Sequence, residues 1–383
     1  MSHSQIGPQI GQQNGQQIGQ SKPRVDWVDY AKGVCIIFVV MMHSTLGVEK
    51  AAEATGWMHY VVQFAQPFRM PDFFMISGLF LASVISRPWK RYFDRKVVHF
   101  FYFYILWMTI QYVIKAPSWI DEGQTPVEVF QNFLMAFIQP FGTLWFIYIL
   151  PIFFIMTRLV ERIDWRVIFA VAALAEILPI HTGAMIIDEM AARYVYFFAG
   201  YKLAPYIFQL ASWVMDNAAK ATLALLAWAA FNGMATFTRT AEWMATPHKI
   251  LGMEMPEYLA GYPGVSLFLG GLGAVAVILF SALISRFSFT GFLRYLGSHS
   301  IVVYLAFFFP MAVSRIILLK FAPFLDIGTV SLMVTISGVL GAMMLYWATL
   351  LTGYGKFLFA RPQWAMTERP EVKQARPAMQ AAE

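Results

Sequence analysis

His43, Arg69 and Asp72 are the residues whose types best suit chemistry. An imidazole can act as a general base, a carboxylate can hold its tautomer, and a guanidinium can meet a developing oxyanion. Lys32 adds a second polar point. It precedes His43 by eleven residues, which on a helix returns to within about 20° of the same face and separates the two by roughly 16 Å. A cation at a headgroup boundary and an imidazole near a bilayer centre would then share one stripe, and the cation could hold the phosphates of a cytosolic donor. A plainer reading is a buried Arg69–Asp72 ion pair at i, i+3, with His43 merely hydrogen-bonded between helices. Asp29, three residues before Lys32, reads equally well as an N-cap.

The elements that must position these groups are membrane helices. The chain has 383 residues, 58% of them hydrophobic and 13% charged, and its mean hydropathy is +0.57. Soluble domains run near ~45–50% apolar and ~25% charged, so a soluble fold is excluded and a polytopic membrane protein is expected. The single Cys35 rules out a disulfide framework or a cysteine-rich metal centre, and the seven histidines lack the close spacing of a zinc motif. No metal and no permanently bound cofactor is expected. The net charge of +6 comes from cations in loops between apolar segments, a distribution that speaks for topology and membrane lipids rather than nucleic acid.

The expected fold is an all-α integral membrane bundle of about ten transmembrane helices with both termini cytoplasmic. The spans are expected at 30–48, 60–86, 97–115, 143–160, 166–182, 190–208, 219–238, 262–285, 299–319 and 327–351, each with the ~20 mostly apolar residues that a crossing needs. The apolar stretch 126–139 is too short and is expected to lie at the interface. With this topology most of the 28 lysines and arginines fall on the cytoplasmic side, as the positive-inside rule asks. Residues 1–23 repeat Gln and Gly and read as a disordered cytoplasmic tail, 24–355 as the transmembrane domain, and 356–383 as a loose cytoplasmic C-terminal tail. A multi-pass protein of a bacterial inner membrane fits this organisation.

Ionisable residues inside spans point by default to function. Arg69 and Asp72 lie roughly 10–13 residues from the outer end of the second span, a depth that would let them meet His43 in one buried chamber. Pro67 and Pro71 are interleaved with them and are expected to interrupt the helix. Glu176 reaches a comparable level. Arg91 and Arg95 belong to a basic patch near Lys32 that could help to grip phosphates, although topology-setting charge on anionic lipid explains most of that patch. Trp145 and Tyr148 fit an interfacial aromatic belt or the wall of a sugar-binding cleft.

Four stretches resemble the membrane-bound acyltransferase-3 family. They are Asp29 through Lys32-Gly33 to His43, Met70-Pro71-Asp72-Phe73-Phe74-Met75-Ile76-Ser77-Gly78, Leu144-Trp145-Phe146-Ile147-Tyr148, and Tyr295-Leu296-Gly297-Ser298-His299-Ser300 with Tyr304-Leu305. The resemblance runs from residue 24 to about 350. It implies a ten-helix core and an O-acyltransferase that moves an acyl group, most simply acetyl, from cytosolic acyl-CoA to a hydroxyl of a cell-surface glycan or lipid-linked sugar. It also implies that His43 is catalytic and that Lys32, with Arg91 and Arg95, holds the coenzyme. Three positions depart from the family pattern. Lys32 stands where arginine is frequent, Arg69 where histidine is common, and Ala306-Phe307-Phe308 lacks a histidine often found there. A transporter or exporter of glycans or small anions is the alternative that interrupted helices and mid-membrane charges would also fit.

Overall fold

The structure, a computed structural model, describes residues 25–241, Met244 and residues 256–367. The expected tail 1–23 lies outside the described residues, as does the expected C-terminal tail from residue 368 onward. Among the described residues the protein is all-α, with one isolated bridge between Arg239 and Tyr258. The helices are α1 (Asp26–Ala52), α2 (Met58–Gly78), α3 (Trp89–Phe93), α4 (His99–Asp121), α5 (Pro126–Met135), α6 (Trp145–Leu159), α7 (Trp165–Ile177), α8 (Met185–Lys202), α9 (Ala204–Asp216) and α10 (Ala218–Phe237). After the undescribed stretch come α11 (Val265–Ile284), α12 (Gly291–Ser298), α13 (Ser300–Ala306), α14 (Phe308–Phe321) and α15 (Ile327–Thr352). A π-helical turn, Asp94–Val98, joins α3 to α4.

Five of these elements are long and apolar enough to cross a membrane: Asp26–Ala52, Trp89–Asp121, Gly142–Leu159, Val265–Ile284 and Ile327–Thr352. The pair α13 and α14, bent by 53°, makes a sixth if taken as one span. The bend has a local cause. Pro310 has no N–H for the Ala306 carbonyl and its ring would strike that carbonyl, so the helix cannot run on through Phe307. The other expected spans coincide with helices that are shorter or more polar, such as α7 with 13 residues and α2 with Arg69 and Asp72 in its C-terminal half.

Three expectations need correction. The span expected over 60–86 stops at Gly78. It stays helical through Pro67 and Pro71, because each proline removes only one ladder bond when neighbouring helices hold the element straight. The segment from 356 is not loose as far as residue 367. Trp107 Nε1 donates to the Leu358 carbonyl at 2.9 Å and Tyr102 to the Phe357 carbonyl at 3.0 Å. Arg361 pairs with Asp94 at 2.6 Å, both buried, and the Thr367 N–H and hydroxyl close on the other carboxylate oxygen at 2.8 and 2.6 Å. A buried carboxylate with this many donors anchors the C-terminal segment to the π-turn.

Helix α1 is the axis of the bundle, in contact with α2 and with α11 through α15. Ala31, Cys35, Ile36, Val40 and Val48 on it are fully buried. Glycines set how closely its neighbours approach. A Cβ on Gly297 would collide with the Asp29 carbonyl, and one on Gly33 with the Leu293 carbonyl, so α1 and α12 cross backbone to backbone. Gly78 and Gly200 make the same kind of crossing between α2 and α8. Small residues at crossings are how membrane helices gain packing energy without a hydrophobic force between them.

Gly297→Val is therefore expected to lower stability by at least ~1–3 kcal/mol, the usual cost of overpacking. Thermal unfolding in detergent would read this. Gly291→Ala, where a Cβ meets nothing within 4 Å, should leave the unfolding temperature nearly unchanged.

Candidate active site

The stripe expected on α1 exists. Lys32, Val39 and His43 lie on one face, at i, i+7 and i+11, and each lines a cavity. His43 faces a chamber of about 150 Å3 whose other polar walls are Arg69, Thr143, Glu189 and Arg193, with Trp145 as an aromatic wall. Lys32 faces a second cavity of about 280 Å3, with Asp29, Ser77, Ser298 and Ser300 among its walls and the apolar Phe100, Ile147 and Leu150 opposite. Beyond the chamber, away from Lys32, two further cavities of about 290 and 440 Å3 are both lined by Gln63, Gln66, Glu257 and Tyr258. Arg69 and Met42 open onto the first of these and Arg193 onto the second. The cavities thus succeed one another along the bundle, from Lys32 past His43 to a wall of amides and hydroxyls.

Within the chamber, His43 makes no hydrogen bond to a described residue; its ring packs on Phe307 with centroids 5.6 Å apart. Arg69 Nε and Nη1 and the Thr143 hydroxyl are buried without a hydrogen-bond partner. Glu189 and Arg193 pair at 3.2 Å, one turn apart on α8. The chamber therefore offers an imidazole, an unsatisfied guanidinium and a hydroxyl on one side, and an internally neutralised ion pair on the other. A base beside preorganised donors is what proton abstraction with oxyanion stabilisation requires.

Asp72 is not in this chamber, which corrects the expectation that it orients His43. It is 0% exposed and accepts a hydrogen bond from the Cys35 thiol at 3.2 Å. Cys35 sits eight residues before His43 on α1, so Asp72 lies roughly 12 Å below the imidazole. Arg69 reaches the chamber because helical side chains lean toward their own N-terminus, and its long stem carries the guanidinium along α2 away from Asp72. No Arg69–Asp72 ion pair forms, so the plainer reading of that pair is also not what the structure holds.

The remaining expected residues divide. Trp145 lines the chamber, whereas Tyr148 is buried, donating to the Phe137 carbonyl at 2.9 Å and packing on Phe101 and Tyr104. Glu176 accepts a hydrogen bond from Tyr196 at 3.2 Å and lines none of the cavities described here. Arg91 and Arg95 are exposed and line neither the Lys32 cavity nor the chamber. The nearby Lys96 is taken up over the Phe154 ring at 4.3 Å, and Arg158 over Trp89 at 4.0 Å. Asp29 is not an N-cap, a position held by Val25; it lies one turn inside α1, 3.9 Å from Lys32.

Glu189, Arg193 and Thr143 were not among the expected site residues, and Tyr304 was marked only within a family-like stretch. The first two form an i, i+4 pair in a helix expected to span the membrane. The i, i+4 spacing of an acid and a base there was a readable signal. Nothing marks Thr143, because its place in the chamber depends on how the turn before α6 folds against α13.

The fold and the chamber define a class of integral membrane proteins, a helical bundle with a histidine-lined cavity at its axis. The family model described as an acyltransferase domain matches residues 25–352. The chain belongs to the acyltransferase-3 family. It is similar to the inner membrane protein YcfT of Escherichia coli (strain K12), at 25% identity over 160 residues, which are 36% of this chain and 44% of that protein. The match thus spans less than half the length of that relative. No solved structure matches.

If Glu176 and Tyr196 only support the bundle, Tyr196→Phe should cost ~1–3 kcal/mol of stability by leaving a buried carboxyl short of a donor. Acyl transfer per folded molecule should stay the same. A fall in transfer at unchanged thermal stability would return Glu176 to the site.

Proposed function

We propose that the protein is an O-acyltransferase of a bacterial inner membrane that takes an acyl group, most simply acetyl, from cytosolic acyl-CoA. The acceptor is a hydroxyl of an exported or cell-surface glycan, or of a lipid-linked sugar. The observation that carries this reading is the order of the cavities, with Lys32 at one end, His43 in the middle and a wall of Gln63 and Gln66 at the other. A ten-span arrangement with both termini cytoplasmic puts the Lys32 cavity on the cytosolic side, where a phosphorylated donor arrives, and the amide-lined cavities on the side of the sugar.

In this scheme the Lys32 ammonium meets the coenzyme phosphates as a point charge, without the bidentate grip of arginine. The apolar wall opposite accommodates the carrier arm. The acceptor hydroxyl enters from the glutamine-lined side and stacks its sugar on Trp145, a common use of an aromatic face. His43 removes the hydroxyl proton as the oxygen attacks the thioester carbon. Negative charge then develops on the carbonyl oxygen, and the unsatisfied Arg69 N–H groups answer it at low dielectric. The carbon–sulfur bond breaks, and His43 returns its proton to the departing thiolate. Glu189 holds Arg193 so that a single guanidinium, that of Arg69, faces the reaction.

The direct test is mass analysis of surface and secreted glycans from cells carrying the native protein or His43→Ala at matched membrane abundance. Loss of an acyl mass increment in the mutant alone is the expected result. Reduced glycan export with acylation intact would instead favour a transport role. Lys32→Glu is expected to raise the apparent KM for acyl-CoA by about tenfold or more, corresponding to ~1.4 kcal/mol or more of lost phosphate interaction, with protein levels unchanged. Unaltered donor dependence would remove Lys32 from the coenzyme site.

A further inference from the structure

The Lys32 cavity and the His43 chamber share three walls: Phe73 from α2, Phe146 from α6 and Tyr304 from α13. Side chains that line two neighbouring cavities stand between them. Here they form one aromatic layer. Phe73 and Phe146 stack with centroids 4.4 Å apart, and Tyr304 meets the edge of Phe146 at 5.8 Å. Phe74 backs the layer at 4.8 Å from Phe146. The Tyr304 hydroxyl donates to the Thr143 carbonyl, which ties the layer to the turn that also shapes the chamber. All three rings are at most 7% exposed.

We propose that Phe73, Phe146 and Tyr304 determine acyl-group size, letting a short acyl thioester reach His43 and excluding medium and long fatty acyl groups. The inference rests on the reading that the acyl group arrives as acyl-CoA from the Lys32 side. The chamber beyond the layer holds about 150 Å3, and an apolar cavity near ~150 Å3 takes one benzene-sized group. That space must hold both the acyl group and the attacking hydroxyl, which leaves room for an acyl chain of about two to four carbons. Met42 and Met70 are its adaptable walls. The layer is less adaptable, because each ring is held by another ring or by a hydrogen bond, and interiors packed this closely resist added methylenes.

The layer also divides the reaction. The carbon–sulfur bond that breaks belongs to a thin arm coming from one side. The carbon–oxygen bond that forms belongs to a bulky sugar confined to the other. Only the arm has to pass the rings, and the transferred proton travels from the hydroxyl through His43 to the sulfur without crossing them as a separate step. Phe146 stacks on Phe73, meets Tyr304 edge-on and lines both cavities, so it is the ring whose size should matter most.

The test measures thiol release from acetyl-CoA, butyryl-CoA and octanoyl-CoA by membrane vesicles containing the native protein, Phe146→Leu or Phe146→Ala at matched abundance. Vesicles with His43→Ala supply the background. The native protein should use acetyl-CoA and butyryl-CoA and be at least about tenfold slower with octanoyl-CoA, in line with the cost of misfit methylenes in a bounded pocket. Both variants should raise the octanoyl-to-acetyl ratio by about tenfold. Phe146→Leu keeps most of the apolar volume and guards against loss of the fold, and the ratio in the native protein is decisive by itself. Equal use of octanoyl-CoA and acetyl-CoA by the native protein would overturn the proposal, as would an unchanged ratio in variants that still release thiol from acetyl-CoA. No thiol release from any acyl-CoA by the native protein would overturn the donor reading as well.

Discussion

A polar group at bilayer depth is tolerated only where protein, not lipid, surrounds it. The architecture answers that constraint by putting α1 at the axis and wrapping α2 and α11 through α15 around it. His43 and Lys32 can sit on an otherwise apolar helix because that helix meets lipid on little of its surface. The glycine crossing of α1 with α12 is part of the same solution. It brings Ser298 and Ser300 up to the Lys32 cavity, where a larger residue at position 297 would hold α12 away.

Charge is handled differently at each level of the bundle. Near the C-terminal segment, Asp94 is saturated by Arg361 and Thr367, so a carboxylate is buried at little cost and anchors the chain. On α2, Asp72 has only the thiol of Cys35 from α1 and a carboxylate oxygen with no partner. At the chamber, Glu189 neutralises Arg193 while Arg69 is left with unanswered N–H groups. One buried carboxylate is thus fully satisfied, while a guanidinium beside the histidine is left open, as groups at sites of chemistry often are.

The broken pair α13 and α14 links these features. Pro310 ends α13 at Ala306, and the turn at Phe307 packs that ring against His43. The segment Ala306-Phe307-Phe308, which departs from the family pattern, thus falls beside the imidazole through Phe307. His43 is consequently the one imidazole among the described walls of the chamber, and both proton transfers of the proposed reaction fall to it.

Much of this was legible in the residues. Composition requires a membrane bundle, because too few charged side chains exist to clothe a soluble surface. The eleven-residue spacing of Lys32 and His43 places both on one stripe, because helix periodicity is local and needs no partner. The four family-like stretches mark α1, α2, the start of α6 and the segment α12–α13. What the sequence could not state was which side chains of different helices meet. Asp72 and Arg69 share similar sequence depth, yet one faces Cys35 and the other His43. Their fate depends on the rotation of α2 about its axis and on the direction in which a helical side chain leans, and only packing against α1 sets the first. The same holds for Arg91 and Arg95, basic in sequence but turned to the surface, and for Glu189 with Arg193, which α8 delivers to the chamber through its glycine crossing with α2. Local periodicity is written along one chain segment, whereas a site between helices is a property of their relative rotation and depth, and those are decided by close packing across the whole bundle.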